Sequence, residues 1–222
     1  MRPLEVEIKL HVKPSVAGGP LAFLTRMTKE RHLGGFALGH LRQHEIWDLY
    51  YDTADGALAA AGAGLRSRMV DGKALITLKM NRVQEGALTQ REEFEEPLDQ
   101  ERVDWVLSHV KDLVGEGPFP ARAFFEGKPC GPLAPVLKVG TARLERPVGT
   151  VATLVLDVVK YPDLAPTAYF DLEVEATGGM AGEASLRTIE TALHNLAGGQ
   201  LMPATASKLE RGLALKAQST AR

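Results

Sequence analysis

Like charges recur at two-residue spacing along this chain. Glu5 and Glu7 stand together in "LEVEIKL", with Lys9 two residues on, and Arg66 and Arg68 stand together in "LRSRM". "ITLKM" places Thr77 with Lys79, "QREEFEEP" places Arg91 with Glu93 and Glu95, and "FDLEVEA" places Asp171 with Glu173 and Glu175. In an extended strand residues two apart share a face, so each stretch carries a charged row, often backed by an apolar one. A face that is merely solvated mixes signs and includes Ser, Thr and Gln, whereas like charges side by side repel unless an opposite charge sits between them. A hard divalent cation would fill that role for the carboxylates, and an oligophosphate for the cations.

The elements that must position these rows read as strands near 4–13, 43–51, 64–70, 74–81, 88–97, 136–146, 150–160 and 168–176. Helical spacing covers Gly19 to Arg31, Gln100 to Leu113 and Glu183 to Leu196. One register follows directly. Asp71-Gly72 between two strand-like runs predicts a two-residue hairpin pairing Val70 with Lys73, so Arg68 faces Leu75, Arg66 faces Thr77 and Gly64 faces Lys79. Arg66, Arg68, Thr77 and Lys79 then share one surface. The apolar helix stripes need an apolar sheet face. If the antiparallel sheet closes, its charged side becomes a lumen and the helices cover the outside. Periodicity alone leaves a closed barrel and an open, solvated sheet equally allowed.

Composition bounds the function. The 222 residues include 26 basic and 28 acidic side chains, a net charge of −2, which argues against a nucleic-acid binder held by bulk positive charge. Cys130 is the single cysteine; in the loop "KPCGP" it reads as an incidental thiol. The N-terminus lacks the apolar core of a signal peptide, and the longest apolar run, "VATLVLDVV", is short for a bilayer and contains Asp157. A cytoplasmic protein is expected. The Gly/Pro-rich "GEGPFPARAFFEGKPCGPLAP" reads as a connection inside one domain, 1–222, more readily than as a boundary. His40 and His44 lack a nearby third ligand and read as surface or structural. Trp47, Tyr50 and Tyr51 read as core packing unless one enters a lumen mouth, and "GAGLR" lacks the Gly-Lys-Ser/Thr ending of a phosphate loop.

Taken together, these segments resemble the CYTH superfamily, the triphosphate tunnel metalloenzymes. "EVEIK" is similar to its Glu-x-Glu-x-Lys signature, and "LYYDTADGALAAAGAGLRSR" to its Tyr-Asp-Thr segment and Arg-x-Arg strand. "TLK", "REEFEE", "LVLDVV", "DLEVEATGG" and "ASKLERGL" follow in the family's order across nearly the whole chain. The resemblance implies an α+β, mainly antiparallel fold: an eight-stranded closed tunnel with a charged lumen and helices outside. The charged face of "LEVEIKL" then points inward.

The resemblance also implies roles. Glu5, Glu7, Asp157, Glu173 and Glu175 are candidate ligands for Mg²⁺ or Mn²⁺, which favour hard oxygen donors. Lys9, Arg66, Arg68, Lys79, Arg143 and Lys208 are candidate phosphate ligands. "KVGTARLER" also offers Lys138 and Arg146 in place of Arg143, and Arg91 is either a phosphate ligand or a salt-bridge partner of Glu93 or Glu95. Glu93, Glu95 or Glu173 would orient an attacking water. The implied activity is metal-dependent hydrolysis of inorganic triphosphate or a triphosphorylated small molecule. A class IV adenylate cyclase, a thiamine triphosphatase and a non-catalytic polyphosphate or nucleotide binder are the alternatives. No nucleic-acid or membrane partner is expected, and a homodimer is left open.

Overall fold

The computed structural model describes residues 4–98, 133–177 and 182–220; the expected helix from Gln100 to Leu113 and the Cys130 loop lie outside them. Eight long strands make the frame: β1 (Leu4–Val12), β4 (Arg42–Thr53), β5 (Gly64–Val70), β6 (Lys73–Glu85), β7 (Leu88–Leu98), β8 (Leu133–Val148), β9 (Ala152–Tyr161) and β10 (Ala165–Ala176). All pairings are antiparallel, in the order β10-β9-β8-β4-β5-β6-β7-β1, and β10 pairs again with β1. That last pairing closes the ring and leaves none of the eight strands with a free edge along it. A short hairpin of β2 (His32–Leu33) and β3 (Phe36–Ala37) lies apart, and β11 (Leu201–Pro203) adds to the end of β1.

The β5–β6 hairpin has the expected register, Val70 opposite Lys73, Arg68 opposite Leu75, Arg66 opposite Thr77 and Gly64 opposite Lys79. Asp71 and Gly72 both have positive φ, 50° and 73°, the left-handed pair a two-residue hairpin of this hand requires. In β1 both faces are buried, for different reasons. Val6, Ile8 and Leu10 pack outward under α1 (Pro20–Met27) and α3 (Glu183–Leu196), against Phe23, Leu24, Met27, Leu186, Ile189 and Leu193. Each such fully buried side chain contributes about 1.5–3 kcal/mol. Glu5, Glu7 and Lys9 must then point into the barrel.

A second outer cluster, including Leu58, Leu65, Ile76 and Leu78, lies beneath α2 (Ala57–Ala60). Asp52 holds that turn, its carboxylate accepting from the backbone N–H of Thr53, Leu58 and Ala59 at 2.7, 2.8 and 3.0 Å.

Besides the single turn of α2, the helix absent from the sequence-based expectation is α4 (Lys208–Thr220). Its start carries a reciprocal capping box: the Ser207 N–H donates to Glu210 Oε2 at 2.6 Å, and the Glu210 N–H donates to Ser207 Oγ at 3.2 Å. The Ser-Lys-Leu-Glu spacing was the available signal. This helix packs on one end of the barrel, where Leu209 and Leu215 meet Tyr50, Leu137, Val139, Val159 and Tyr161.

Two side chains differ in role from the obvious reading. Trp47 is 46% exposed rather than core, because it faces outward across Gly140, with the Lys138 ammonium 4.8 Å from its ring centre. Arg146 is buried and donates to the carbonyls of Gly39, Thr28 and Glu30 at 3.0, 3.1 and 2.8 Å, with longer bonds to Met27 and Leu38. It thereby satisfies the end of α1 and the loop after it. Among the described residues no helix is long and apolar enough to cross a membrane.

Arg146→Ala would leave several of these carbonyls buried and unpaired, a loss of about 2 kcal/mol or more. Urea unfolding of the variant is expected to show a lower midpoint at unchanged slope. Arg146→Lys is expected to recover little of it, since one ammonium cannot reproduce the forked donor set.

Candidate functional site

Residues from seven of the eight strands, together with the start of α4, line a cavity of about 650 Å³, within the range of small-molecule sites. Strand pairing sets its chemistry. Glu5 lies opposite Arg91 on β7, and Glu7 opposite Glu175 on β10; Lys9 lies opposite Glu173, and Arg143 opposite Asp157. Carboxylates and cations that are sorted by strand in the sequence are thus interleaved across strands.

The like-charge pairs are bridged by side chains first. Arg91 lies between Glu5 and Glu7, donating to Glu5 Oε2 and, at 2.9 Å, to Glu7 Oε1; its partners are on β1 rather than Glu93 or Glu95. Asp48 does the converse between Arg66 and Arg68. Arg68 grips it with two bonds of 2.7 and 2.9 Å, while Arg66 stands 3.7 Å away. Although burial opposes it, Arg66 and Arg68 hold the Asp48 carboxyl down at about 2. Asp48 was missed in the sequence, where "IWDLYYDT" offers no second acid at two-residue spacing to make a pair.

At the end nearer α4, Lys208 Nζ donates to Asp157 at 2.7 Å and Glu173 at 2.9 Å. Arg143 donates to the same two carboxylates, at 2.8 and 3.1 Å through one nitrogen, and Lys9 stands 3.2 Å from Glu173. Against the desolvation of burial, Lys208, Lys9 and Arg143 hold Glu173 well below the usual carboxylate range. Of the three basic side chains in "KVGTARLER", Arg143 is the one in the lumen; Lys138 lies over Trp47 and Arg146 clamps the loop. Lys79 sits 3.0 Å from both Glu5 and Glu93, and Glu95 accepts from Thr77 at 3.0 Å.

The candidate metal ligands therefore divide. Asp157 and Glu173 are both held by Arg143 and Lys208, whereas Glu5 and Glu7, although paired with Arg91, form with Glu175 a group in which one carboxylate oxygen of each lies within 4.8 Å of the others. Glu7 Oε2 is buried there without a hydrogen-bond partner. Burial pushes the Glu175 carboxyl up to about 7, with Glu173, Glu7 and Glu5 adding to it against the pull of Arg143, which is 3.9 Å away. On the opposite wall Arg66 makes only long contacts to the carboxylates of Asp48 and Glu93 and a hydrogen bond with the Tyr50 side chain, and its Nε is unpartnered. Tyr50 lines the cavity too, while Tyr51 is in the outer core. His44 bonds to Asp71 at 2.5 Å and His40 is exposed, so neither joins the site.

Residues 3–212 match the CYTH domain family. No curated protein matches the sequence. Among solved structures, the barrel is similar to a Hippeastrum protein named for adenylyl cyclase and described as having a dominant triphosphatase activity. That likeness has a TM-score of 0.71 and 22% identity over 96% of each chain. A Bacillus halodurans protein described as a candidate adenylate cyclase follows, at TM-score 0.65 and 18% identity over 94% of this chain and 97% of that one. The triphosphatase of the mimivirus capping enzyme aligns at TM-score 0.51 and 11% identity, over 86% and 89%.

The Asp48 cluster makes a pH-dependent contribution to stability. Its folded pKa of about 2 lies below the unfolded value, so the stabilisation is complete above about pH 4–5 and disappears as pH falls through about 2. The full effect is about 2–3 kcal/mol. Asp48→Asn is expected to lower the melting temperature at pH 7 and to flatten the loss of stability between pH 5 and pH 2, as read by thermal unfolding across that range.

Proposed function

The chain belongs to the CYTH domain family, and on that premise we propose that it hydrolyses inorganic triphosphate or another triphosphorylated small molecule with Mg²⁺ or Mn²⁺. One observation carries the reading: a single cavity offers under-paired carboxylate oxygens on one wall and an under-paired guanidinium on the other. An anion-only binder has no use for Glu5, Glu7 and Glu175 beside its ligand, where without a cation they repel it.

The donor set fits the metal. Glu5, Glu7 and Glu175 supply hard oxygens within one ion's reach, one of them an orphaned buried atom, and Mg²⁺ fills its remaining positions with water and phosphate oxygens. Bound there, the ion would neutralise phosphate charge and act as a Lewis acid.

The chain's own groups do the rest. Arg66 and Arg68 present forked donors to phosphate oxygens, and Lys79, Lys9 and Lys208 supply compact charges. Arg91 and Arg143 can shift from their carboxylates toward substrate as charge enters the lumen. Glu93, beside Lys79 and Arg66, and Glu95, beside Thr77, are placed to orient water and accept its proton. Glu173 is committed to three cations and serves as their counter-charge. Water attacks the terminal phosphorus, a new P–O bond forms in line with the breaking one, and pyrophosphate leaves. The fold likeness to proteins named for triphosphatase activity agrees with this reading.

The test offers purified protein Mg²⁺ or Mn²⁺ with inorganic triphosphate and ATP in parallel, resolving all products. Phosphate and pyrophosphate from triphosphate, with little cyclic AMP from ATP, are expected. Cyclic AMP as the main product would make it a cyclase, and turnover of neither would count for a binding module. Glu7→Gln is expected to lower turnover roughly 100-fold, as loss of one charge-stabilising group does elsewhere. Arg66→Ala is expected to raise KM roughly tenfold or more through one lost charge-assisted contact. Its ligand-free melting temperature should change less, because Asp48 keeps Arg68.

A further inference from the structure

We propose that Arg211, which lies outside the cavity, is the positioning residue that keeps Lys208 aimed into it. Lys208 and Arg211 are three residues apart and share a face of α4. Lys208 lines the cavity and Arg211 does not.

The Arg211 guanidinium is fixed on every side. It donates to Asp171 at 3.2 and 2.7 Å through two nitrogens, and its Nε donates to Tyr161 Oη at 3.0 Å. Its carbon lies 4.6 Å from the Tyr169 ring centre and 5.8 Å from that of Tyr161. Its Nη1 stands 2.9 Å from His11 Nε2, while His11 Nδ1 is 2.5 Å from Asp171 Oδ1.

The Tyr161 hydroxyl connects this anchor to the lysine. It accepts from Arg211 Nε and donates to the backbone carbonyl of Lys208 at 2.8 Å. Gly212 sets how closely the helix can sit: a Cβ there would lie 2.3 Å from Leu137 Cδ2 and 2.7 Å from the buried Tyr161 ring. Such distances force something to move.

Lys208 cannot hold its own helix in place during binding. Its ammonium is paired with Asp157 and Glu173, and an anion in the cavity competes for that same charge. None of the partners of Arg211 (Asp171, Tyr161, Tyr169 and His11) lines the cavity, so these contacts persist when the lysine changes partner.

The claim rests on the proposed triphosphatase reading only for its kinetic arm. Arg211→Met, Lys208→Met and the double variant are compared by KM and kcat for inorganic triphosphate. If Arg211 acts through Lys208, the two single variants raise KM by similar factors and the double variant is no worse than either, within about twofold. Multiplying penalties would overturn the proposal.

The second arm needs no activity. Acylation of Lys208 by an amine-reactive reagent, followed by mass spectrometry with Lys29 as internal reference, is expected to be slow in the parent protein. It should accelerate about tenfold or more as the lysine leaves its buried pairs, both in Arg211→Met and in Gly212→Ala. Gly212→Ala retains every ionic partner and reads the seating of the helix alone, whereas Arg211→Lys, which keeps the charge without the forked contacts, decides the matter if Arg211→Met does not fold. Unchanged labelling in a folded variant would refute the positioning role. Absence of triphosphate turnover in the parent protein would instead refute the functional reading and leave this arm standing.

Discussion

The pairing of β10 with β1 is the constraint from which the rest of the structure follows. It opposes Glu7 with Glu175 and Lys9 with Glu173, and by closing the sheet it turns a charged face inward. A closed charged lumen must compensate its own charges, because unpaired ions in a low-dielectric interior cost several kcal/mol each. Neighbouring strands and α4 supply the opposite sign, Arg91 against Glu5 and Glu7, Asp48 against Arg66 and Arg68, Arg143 and Lys208 against Asp157 and Glu173. The barrel is stable to the extent that these pairs are good, and receptive where they are incomplete.

The incomplete places are Glu7 Oε2, the Arg66 Nε and the Glu175 carboxyl. Glu175 and Arg66 line opposite walls of one cavity, with Glu7 paired beside Glu175, and the two sides call for ligands of opposite sign. The apolar exterior makes this arrangement affordable in structural terms. Val6, Ile8 and Leu10 bury beneath α1 and α3, so much of the hydrophobic stabilisation comes from outside the ring, and the inside carries charge except where Tyr50, Leu137, Val139, Val159 and Tyr161 meet α4. At one end α4 contributes both to closure and to the lumen, through Leu209 and Lys208 respectively.

Much of this was legible in the sequence. Strict alternation identified the strands, and Asp71-Gly72 defined a register that the structure reproduces pair for pair. Closure was not legible from alternation, since a solvated sheet has the same period; the ordered family motifs supplied it. Two kinds of information stayed hidden. Cross-strand partners such as Asp48 for Arg68 depend on the register between β4 and β5, which are joined through α2 rather than by a two-residue hairpin that would fix it. The difference between Glu175 and Glu173 is likewise environmental: identical residues two apart, one facing three cations and the other facing carboxylates. The helix α4 was readable from its capping box, but Lys208 drew attention as a charge rather than as a helix start.

The central claim is that the lumen's under-paired acids and bases take a divalent cation and a triphosphate as complementary ligands. The most direct measurement is the melting temperature of the protein with Mn²⁺ alone, with inorganic triphosphate alone, and with both, at concentrations corrected for complexation of one by the other. Each ligand that binds only the folded state raises it by mass action. The account predicts a small shift with either alone and, with both, a shift larger than their sum, because each supplies the counter-charge that the other's wall lacks. Additive shifts, or none with the pair, would contradict it.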